Sequence, residues 1–401
     1  MALLSVEEAL KTILSGVAAL PEETVAIEAA LGRAIAKTVV AARTLPPWDN
    51  SAMDGFALRS ADAVAPAARL EVVDRIFAGD LPKKAIGPGQ CAQIMTGAPL
   101  PPGADAVLMQ EKVVSTNGFV VLQEAVPKGN AVRRAGEDTR KGEILLAEGT
   151  VIGIPEAGLL WSQGFSTVTV RRRPRVAIAS TGDELCPIGE TPGERIFDTN
   201  SPSLAVAVRR AGGDPTLLGL ARDRLDEVKA LFAKGLDYDV LITSAGASVG
   251  ERDFAKDALE AIGVTMDFWK VAMKPGKPLA VGRRGSTHVF GLPGNPTSSL
   301  VTFELFVRPA LRALQGLPSE VPTLGGRIAT PFKKAPGLRH HVRATVAHRD
   351  GELWATPLAT QSSGALTSAA TATHLISVPP ETTSLAVGDR ITLIPVSWSW
   401  L

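Results

Sequence analysis

The chain has little of what most metal, redox or membrane proteins depend on. Its two cysteines, Cys91 and Cys186, lie too far apart among 401 residues to build a zinc cluster. Five histidines (His288, His340, His341, His348 and His374) show no ligand spacing, so ordinary surface or core roles precede metal binding. There is no apolar run of about eighteen residues and no charged-then-apolar leader. These absences predict a soluble, cytoplasmic protein in a reducing compartment, with no membrane partner. Net charge is nearly absent too. The 42 basic and 41 acidic residues leave a formal +1, which provides no general field for nucleic acid or an anionic bilayer. Any handling of anions must then be local. No Gly-Lys-Ser/Thr follows a glycine-rich turn, and no GxGxxG opens a strand–helix unit, which argues against ATPase and NAD chemistry.

What is present is organised. At 401 residues the chain exceeds one hydrophobic core, and its 38 glycines and 29 prolines imply many tight turns. SVEEALKTILSGV carries a Ser5/Glu8 capping box ahead of helical apolar spacing. From about residue 30 to 146 short apolar runs are broken by Gly and Pro, the texture of a β-rich domain. IPEAGLLWSQG reads as a second helix, expected to pack on the first. RRRPR (171–175) reads as a solvated linker, with a basic patch as the alternative. RVAIAS, TLLGLA, DVLITSA and HVFGLP then alternate with helical segments, the first of which has Ser201 as its expected N-cap. That alternation predicts a doubly wound, mostly parallel α/β sheet. Residues 317–401 read as strands and turns without a convincing helix, hence a small β-barrel or sandwich. The expected division is a helical linker domain of 1–30 plus 147–172, a β-rich domain of 31–146, an α/β domain of 173–316 and a β domain of 317–401.

The chemistry-bearing residues sit where such a sheet binds ligands, beyond the carboxyl ends of its strands. Thr181, Asp183 and Glu184 follow the first strand, Asp223 the second, and Ser248 and Asp253 the third. Four carboxylates at three strand ends suit a hard divalent cation such as Mg²⁺, which binds through one or two carboxylates and substrate phosphates. Taken singly, Asp253 could cap its helix and Asp223 could end its strand. FWKVAMKPGKPLA places Lys270, Lys274 and Lys277 around a Pro-Gly-Lys-Pro turn, either a holder for an oxyanion or a solvated basic loop. GLPGNPTSS puts Thr297 and Ser298 at a helix start, where free backbone N–H groups attract anions. In PPWDNSAMDGFALR, Asp54 precedes Gly55 at an expected turn that tolerates φ > 0, and Trp48 reads as exposed. By itself that run is also compatible with an ordinary polar loop.

DNSAMDG, IMTGAPLP, RRAGED, TGDEL, SAGASVGERD, KPGKP and LPGNP occur in the order seen in molybdopterin molybdenumtransferases of the MoeA and gephyrin E-domain type. The chain resembles that family over nearly its whole length. The resemblance implies an enzyme that inserts molybdate into adenylylated molybdopterin. It implies that a Mg²⁺-dependent cleavage of the phosphoanhydride releases AMP and molybdenum cofactor. It further implies a homodimer with a composite active site, and the molybdopterin adenylyltransferase as a candidate delivery partner. By motif, Asp54, Thr96 and Asp138 resemble the contribution of the β-rich domain to the site. Glu184, Asp223 and Asp253 resemble the acidic group, with Glu184 and Asp253 on the metal. Lys274, Lys277, Ser298, Arg343 and Ser363 resemble the molybdate pocket, and Lys270, Thr181 and Ser248 substrate contacts. The chain departs from the family where SAGASVG has Ala245 in place of the second glycine, and where Trp48 and Phe56 replace the usual Phe and Tyr. The alternative class is a non-catalytic paralogue serving as a cofactor-binding or scaffold protein, which predicts binding without turnover. A stand-alone adenylyltransferase would resemble the middle domain only.

Overall fold

The first helix, Val6–Ser15, begins as its sequence predicts. Ser5 Oγ accepts the Glu8 N–H at 3.1 Å and Glu8 Oε2 accepts the Ser5 N–H at 2.8 Å. The structure, a computed structural model, describes residues 3–244 and 254–399. Backbone contacts divide it into two compact units, Met1–Ala36 with Val168–Leu401, and Lys37–Thr167. The helix Ile154–Ser162 falls in the second unit and the first helix in the first. Its Ala9 and Ile13 enter the core built on the long helix of the α/β domain (residues 296–314), beside Leu311 and Leu314.

The α/β part of the first unit has among its strands β1 (Arg175–Thr181), β2 (Asp214–Ala221), β3 (Val240–Ser244), β4 (Thr265–Trp269), β5 (Met273–Lys274), β6 (Ala280–Arg284) and β7 (Thr287–Leu292). Six of them form one sheet in the order β2-β1-β3-β7-β6-β4, with β2, β1, β3 and β7 parallel and β6 and β4 antiparallel at the edge. The sheet is buried on both faces, and alternate residues feed two cores. Val176, Ile178, Val240 and Ile242 pack with the helix Asn200–Arg210 and the long helix. Ala177, Ala179 and Leu241 pack against the helices Leu225–Lys234 and Phe254–Ala261. The chain runs from β1 outward to β2 and returns to β3 on the opposite side of β1. That reversal puts the ligand crevice of a doubly wound sheet at the β1 and β3 ends.

The last helical run is not a single α-helix. Pro296–Thr302 and Arg308–Leu314 are joined by a π-helical turn, Phe303–Val307. Pro309 has no N–H for the carbonyl four residues back, which favours the wider turn. Residues 317–399 close a barrel from β8 (Leu324–Ile328), β9 (Arg339–Arg349), β10 (Glu352–Pro357), β11 (His374–Val378) and β12 (Arg390–Pro395), paired β9-β10-β8-β12-β11 and back to β9. A short helix that sequence reading missed, Leu366–Thr371, interrupts this strand-rich text. β5 lies parallel to β9, with Lys274 opposite His340, and so fastens the lysine turn to the barrel.

Two further expectations are corrected. RRRPR is no free basic patch, because Arg172 forms a bidentate pair with Asp239 at 2.8 Å and Arg171 ends the strand Thr167–Arg171. Burial pushes the Asp239 carboxyl up, but the Arg172 bonds outweigh it and hold the group below its usual range. Ser201 does not cap its helix either. It lies inside the first turn, bonded to Ser180 Oγ at 2.6 Å, while Asp198 Oδ1 accepts the N–H groups of Asn200 and Ser201 at 3.1 Å.

The second unit is built on a six-stranded sheet ordered Ala106–Met109, Gly55–Leu58, Gln90–Ile94, Arg69–Ile76, Phe119–Leu122 and Val113–Thr116. Phe56 and Leu58 point into one core and Ala57 into the other. Among the described residues no helix is long and apolar enough to cross a membrane.

Candidate active site

In the second unit three sequence motifs are stitched into one patch. Asn50–Ser51 pairs with Val132–Arg133, Ser51 N donates to Ala98 O at 3.0 Å, and Gly97 N donates to Ser51 O at 2.8 Å. DNSAMDG, MTGAP and RRAGED are therefore neighbours. Asp54 stands exposed beside the strand, and its Oδ1 accepts from both N–H and Oγ of Thr96 at 2.7 Å. The backbone bond, then the hydroxyl, holds the Asp54 carboxyl below its ordinary range. Asp49 is clamped by Ala135 N at 2.9 Å and Arg134 Nη1 at 2.6 Å, which fixes the RRAGED turn carrying the exposed Asp138. Trp48 is exposed as expected. Gly55 is required for a different reason from the one expected. Its φ is not positive; a Cβ there would lie 2.0 Å from Leu108 O. Close strand approach, rather than turn conformation, excludes every other residue.

In the first unit the strand ends carry the acidic residues. Thr181 closes β1 and is buried, and Asp183 and Glu184 follow it exposed. Asp223, after β2, donates its N–H to Asp183 Oδ1 at 3.3 Å, so these two loops meet. Gly182 has φ +151°, and a Cβ there would meet Glu184 Oε2 at 2.6 Å. The glycine thus leaves the space that the Glu184 carboxylate occupies. Ser248, Asp253 and Ala245 lie outside the described residues. Among the described residues no three His, Cys, Asp or Glu side chains cluster to hold a metal alone. Hard carboxylate oxygens at Asp183 and Glu184 nevertheless fit Mg²⁺, which takes most of its ligands from water and phosphates.

The cationic residues meet elsewhere in the same unit. Val271 N donates to Lys277 O at 2.9 Å, which closes the lysine turn and leaves Lys274 and Lys277 exposed. Lys270, with φ +73°, starts the turn half-buried. Gly276, at φ +98°, rests on the long helix, where a Cβ would meet Thr302 Cγ2 at 2.5 Å. Thr302 in turn donates to Ser298 O at 2.9 Å. Thr297 N donates to Ser363 O at 3.0 Å, and its Oγ donates to Ala365 O at 3.2 Å. That first-turn donor is therefore spent on the barrel loop rather than free for an anion. Ser298 is buried beside it. Arg343, on β9, is fully buried, with Nη2 on Thr360 O at 3.3 Å and Ser362 O at 3.0 Å. Its Nε and Nη1 have no acceptor. Burial draws its pKa down. Lysine turn, helix start, Arg343 and Ser363 are thus brought together, with no carboxylate paired to Arg343 among the described residues.

Sequence reading missed two residues that organise these parts. Asn200 Nδ2 donates to Ser244 Oγ at 2.8 Å and to Gly294 O at 2.7 Å, tying the end of β3 to the LPGNP turn. The only signal was a polar Asp-Thr-Asn-Ser run before a helix. Gln361, beside Arg343, had none. A cavity of about 590 Å³ lies on the barrel instead, lined by Arg327, Glu352 and Arg390 among others. Arg327 and Glu352 pair bidentately there and none of the expected site residues lines it, so the charged cluster, not this cavity, is the candidate site.

The chain is similar to known proteins over nearly its whole length. Residues 4–164 match the MoeA N-terminal region (domain I and II), 177–313 the probable molybdopterin binding domain and 326–396 the MoeA C-terminal region (domain IV). The molybdopterin molybdenumtransferase of Bacillus subtilis (strain 168) is 35% identical over 397 residues, 94% of this chain and 92% of that one. The Haemophilus influenzae protein of the same name is 35% identical over 376 residues, 92% of each chain. A crystal structure of a molybdopterin biosynthesis MoeA protein from Pyrococcus horikoshii superposes with a TM-score of 0.83 at 33% identity, over 100% of both chains. A second from that organism gives 0.86 at 26% identity, over 98% of this chain and 100% of that one. With motifs, domain order and whole-chain likeness in agreement, the chain belongs to the MoeA family of molybdopterin molybdenumtransferases.

Proposed function

We propose that the protein inserts molybdate into adenylylated molybdopterin, with Mg²⁺-dependent cleavage of the phosphoanhydride and release of AMP and molybdenum cofactor. The observation that carries the reading is the buried Arg343 guanidinium. It has two unpartnered nitrogens and no carboxylate beside it among the described residues, and its bond to Ser362 O, next to the Ser363 carbonyl that accepts Thr297 N–H, ties it to the helix start. A desolvated, uncompensated cation costs several kcal/mol, so a fold that keeps one has an anion to receive. Lys274, Lys277, Ser298, Arg343 and Ser363 would hold the tetrahedral oxyanion, and Lys270, Thr181 and Ser248 the substrate. Splitting an anhydride needs charge neutralisation and alignment more than a covalent nucleophile. In this reading the lysines neutralise and orient the anionic groups, and Glu184, Asp223 and Asp253 form the acidic side. Glu184 and Asp253 would hold Mg²⁺, which when bound lends charge neutralisation to the phosphates. Asp54, which accepts from Thr96, and Asp138 would act as the carboxylates that the β-rich domain contributes. A cytoplasmic homodimer with a composite active site, fed by the molybdopterin adenylyltransferase, belongs to the same proposal.

The test is direct. Purified protein with Mg²⁺, molybdate and adenylylated molybdopterin should release AMP and yield cofactor that activates an apo-molybdoenzyme. Absence of AMP from folded protein, beside an active relative, would refute the proposal; substrate binding without turnover would favour the scaffold reading.

A further inference from the structure

β10 ends at Pro357, opposite Ala344, so the next residue of β9 on that side loses its strand neighbour. That residue is Arg343, and its main chain is not left unpaired. Gln361 Oε1 accepts the Arg343 N–H at 3.0 Å, and Gln361 Nε2 donates to Arg343 O at 2.9 Å and to Leu358 O at 2.9 Å. Leu358 N also donates to Arg343 O, at 2.9 Å. The amide side chain thus stands in for a peptide group and continues the sheet ladder. Its orientation is set by the partners, since a backbone N–H needs an oxygen and two carbonyls need the NH₂.

The same loop holds the other end of the residue. The carbonyls of Thr360 and Ser362, on either side of Gln361, receive Arg343 Nη2, and the next carbonyl, Ser363 O, receives Thr297 N from the helix bearing Ser298. Gln361 therefore sits at the joint between β9, the loop 358–363 and the helix start. Its chemistry matters as well as its reach. Glutamate has almost the same shape, but would place a negative charge against the strand that carries the guanidinium. The chain uses a neutral amide and leaves Arg343 Nε and Nη1 without acceptors. Buried donors without partners are rare enough to need a reason.

We propose that Gln361 is a positioning residue: it clamps the Arg343 main chain and the 358–363 loop through an uncharged amide, so that the guanidinium charge stays available to a tetrahedral oxyanion. This rests on the functional reading above and specifies how its oxyanion pocket is kept cationic.

The experiment uses the full chain and inorganic molybdate. Gln361→Glu and Gln361→Met are compared with wild type by calorimetric molybdate titration, thermal melting, and kcat and KM for molybdate in AMP release. Glu keeps the acceptor and adds a charge; Met removes all three bonds and adds none. The expected result is that Gln361→Glu weakens molybdate binding and raises its KM by about tenfold or more, the effect of roughly 1.4 kcal/mol, with a smaller change in kcat. Gln361→Met should lower the melting temperature and kcat but raise KM less than Glu does. A Glu variant that binds molybdate as tightly as wild type overturns the inference, as does a KM defect that merely tracks melting temperature across the two variants. Wild-type protein that neither binds molybdate nor saturates with it refutes the oxyanion pocket itself, a result separable from failure of the Gln361 assignment.

Discussion

His340 and His341, side by side on β9, make the stability of the first unit depend on pH in a calculable way. Both are buried, with 7% and 1% of their surface exposed. Burial, then the positive charges of Lys274, Lys334 and Arg343, depresses His340 from 6.5 to about 4. Burial, then Arg339 and His340, depresses His341 to about 3. A histidine held neutral in the fold but basic in the unfolded chain stabilises fully above its unfolded pKa. That stability is lost as pH falls from 6.5 toward the folded values, because the unfolded state takes up protons that the fold refuses. At 1.36 kcal/mol per unit the loss by pH 5 is roughly 2 kcal/mol for each residue. We expect urea unfolding of the wild type to lose roughly 4 kcal/mol between pH 7.5 and 5 from this pair, beyond any carboxylate effect. His340→Gln should be less stable at pH 7.5 yet give up roughly 2 kcal/mol less on acidification. His341→Gln provides the same comparison at the more buried site. Parallel pH slopes for wild type and both variants would refute the reasoning.

Other outcomes follow from particular contacts. Gly55→Ala forces a methyl to within 2.0 Å of Leu108 O, and should cost about 3 kcal/mol or more in chemical denaturation. Asp54→Ala beside it should leave the melting temperature unchanged while reducing AMP release. Glu184→Gln and Asp253→Asn should lower Mg²⁺-dependent turnover, and Glu184→Gln should do so far more than it lowers stability, because an exposed strand-end loop residue carries little of the fold; wild-type turnover in both would remove the metal assignment. Asn200→Ala deletes the tie between Ser244 and Gly294 and should cost about 1–3 kcal/mol along with a fall in kcat. A kcat equal to wild type would show that this tie does not align the site.

The strands and helices of the α/β domain were legible because both sides of its sheet are buried. RVAIAS and DVLITS are nearly continuous apolar runs, and Ala177 and Leu241 serve one core while Val176 and Ile242 serve the other. The capping box at Ser5 and Glu8 was legible for a local reason, as its partners are three residues apart. The motif residues were legible as types: carboxylates after strands, lysines around a Pro-Gly turn, serines at a helix start. Asp198 in place of Ser201, the π-turn at Phe303–Val307 and the spent N–H of Thr297 were not. Each depends on a competing partner whose distance in space no local pattern encodes. Arg343 and Ser363 came only from resemblance, because the barrel text around them has weak periodicity.

By itself, then, the sequence determined element types, their order and the chemical inventory, since these depend on neighbours within one or two turns or one strand. Tertiary structure alone decided which charges are compensated. Arg172 meets Asp239 and becomes a structural tie, whereas Arg343 is buried against carbonyls and one neutral amide and keeps its charge. Arg172 lies in text that reads as a linker and Arg343 in text that reads as strands and turns. They differ because Coulomb attraction and desolvation depend on distance through space and on exclusion of water, and only the packed chain sets those.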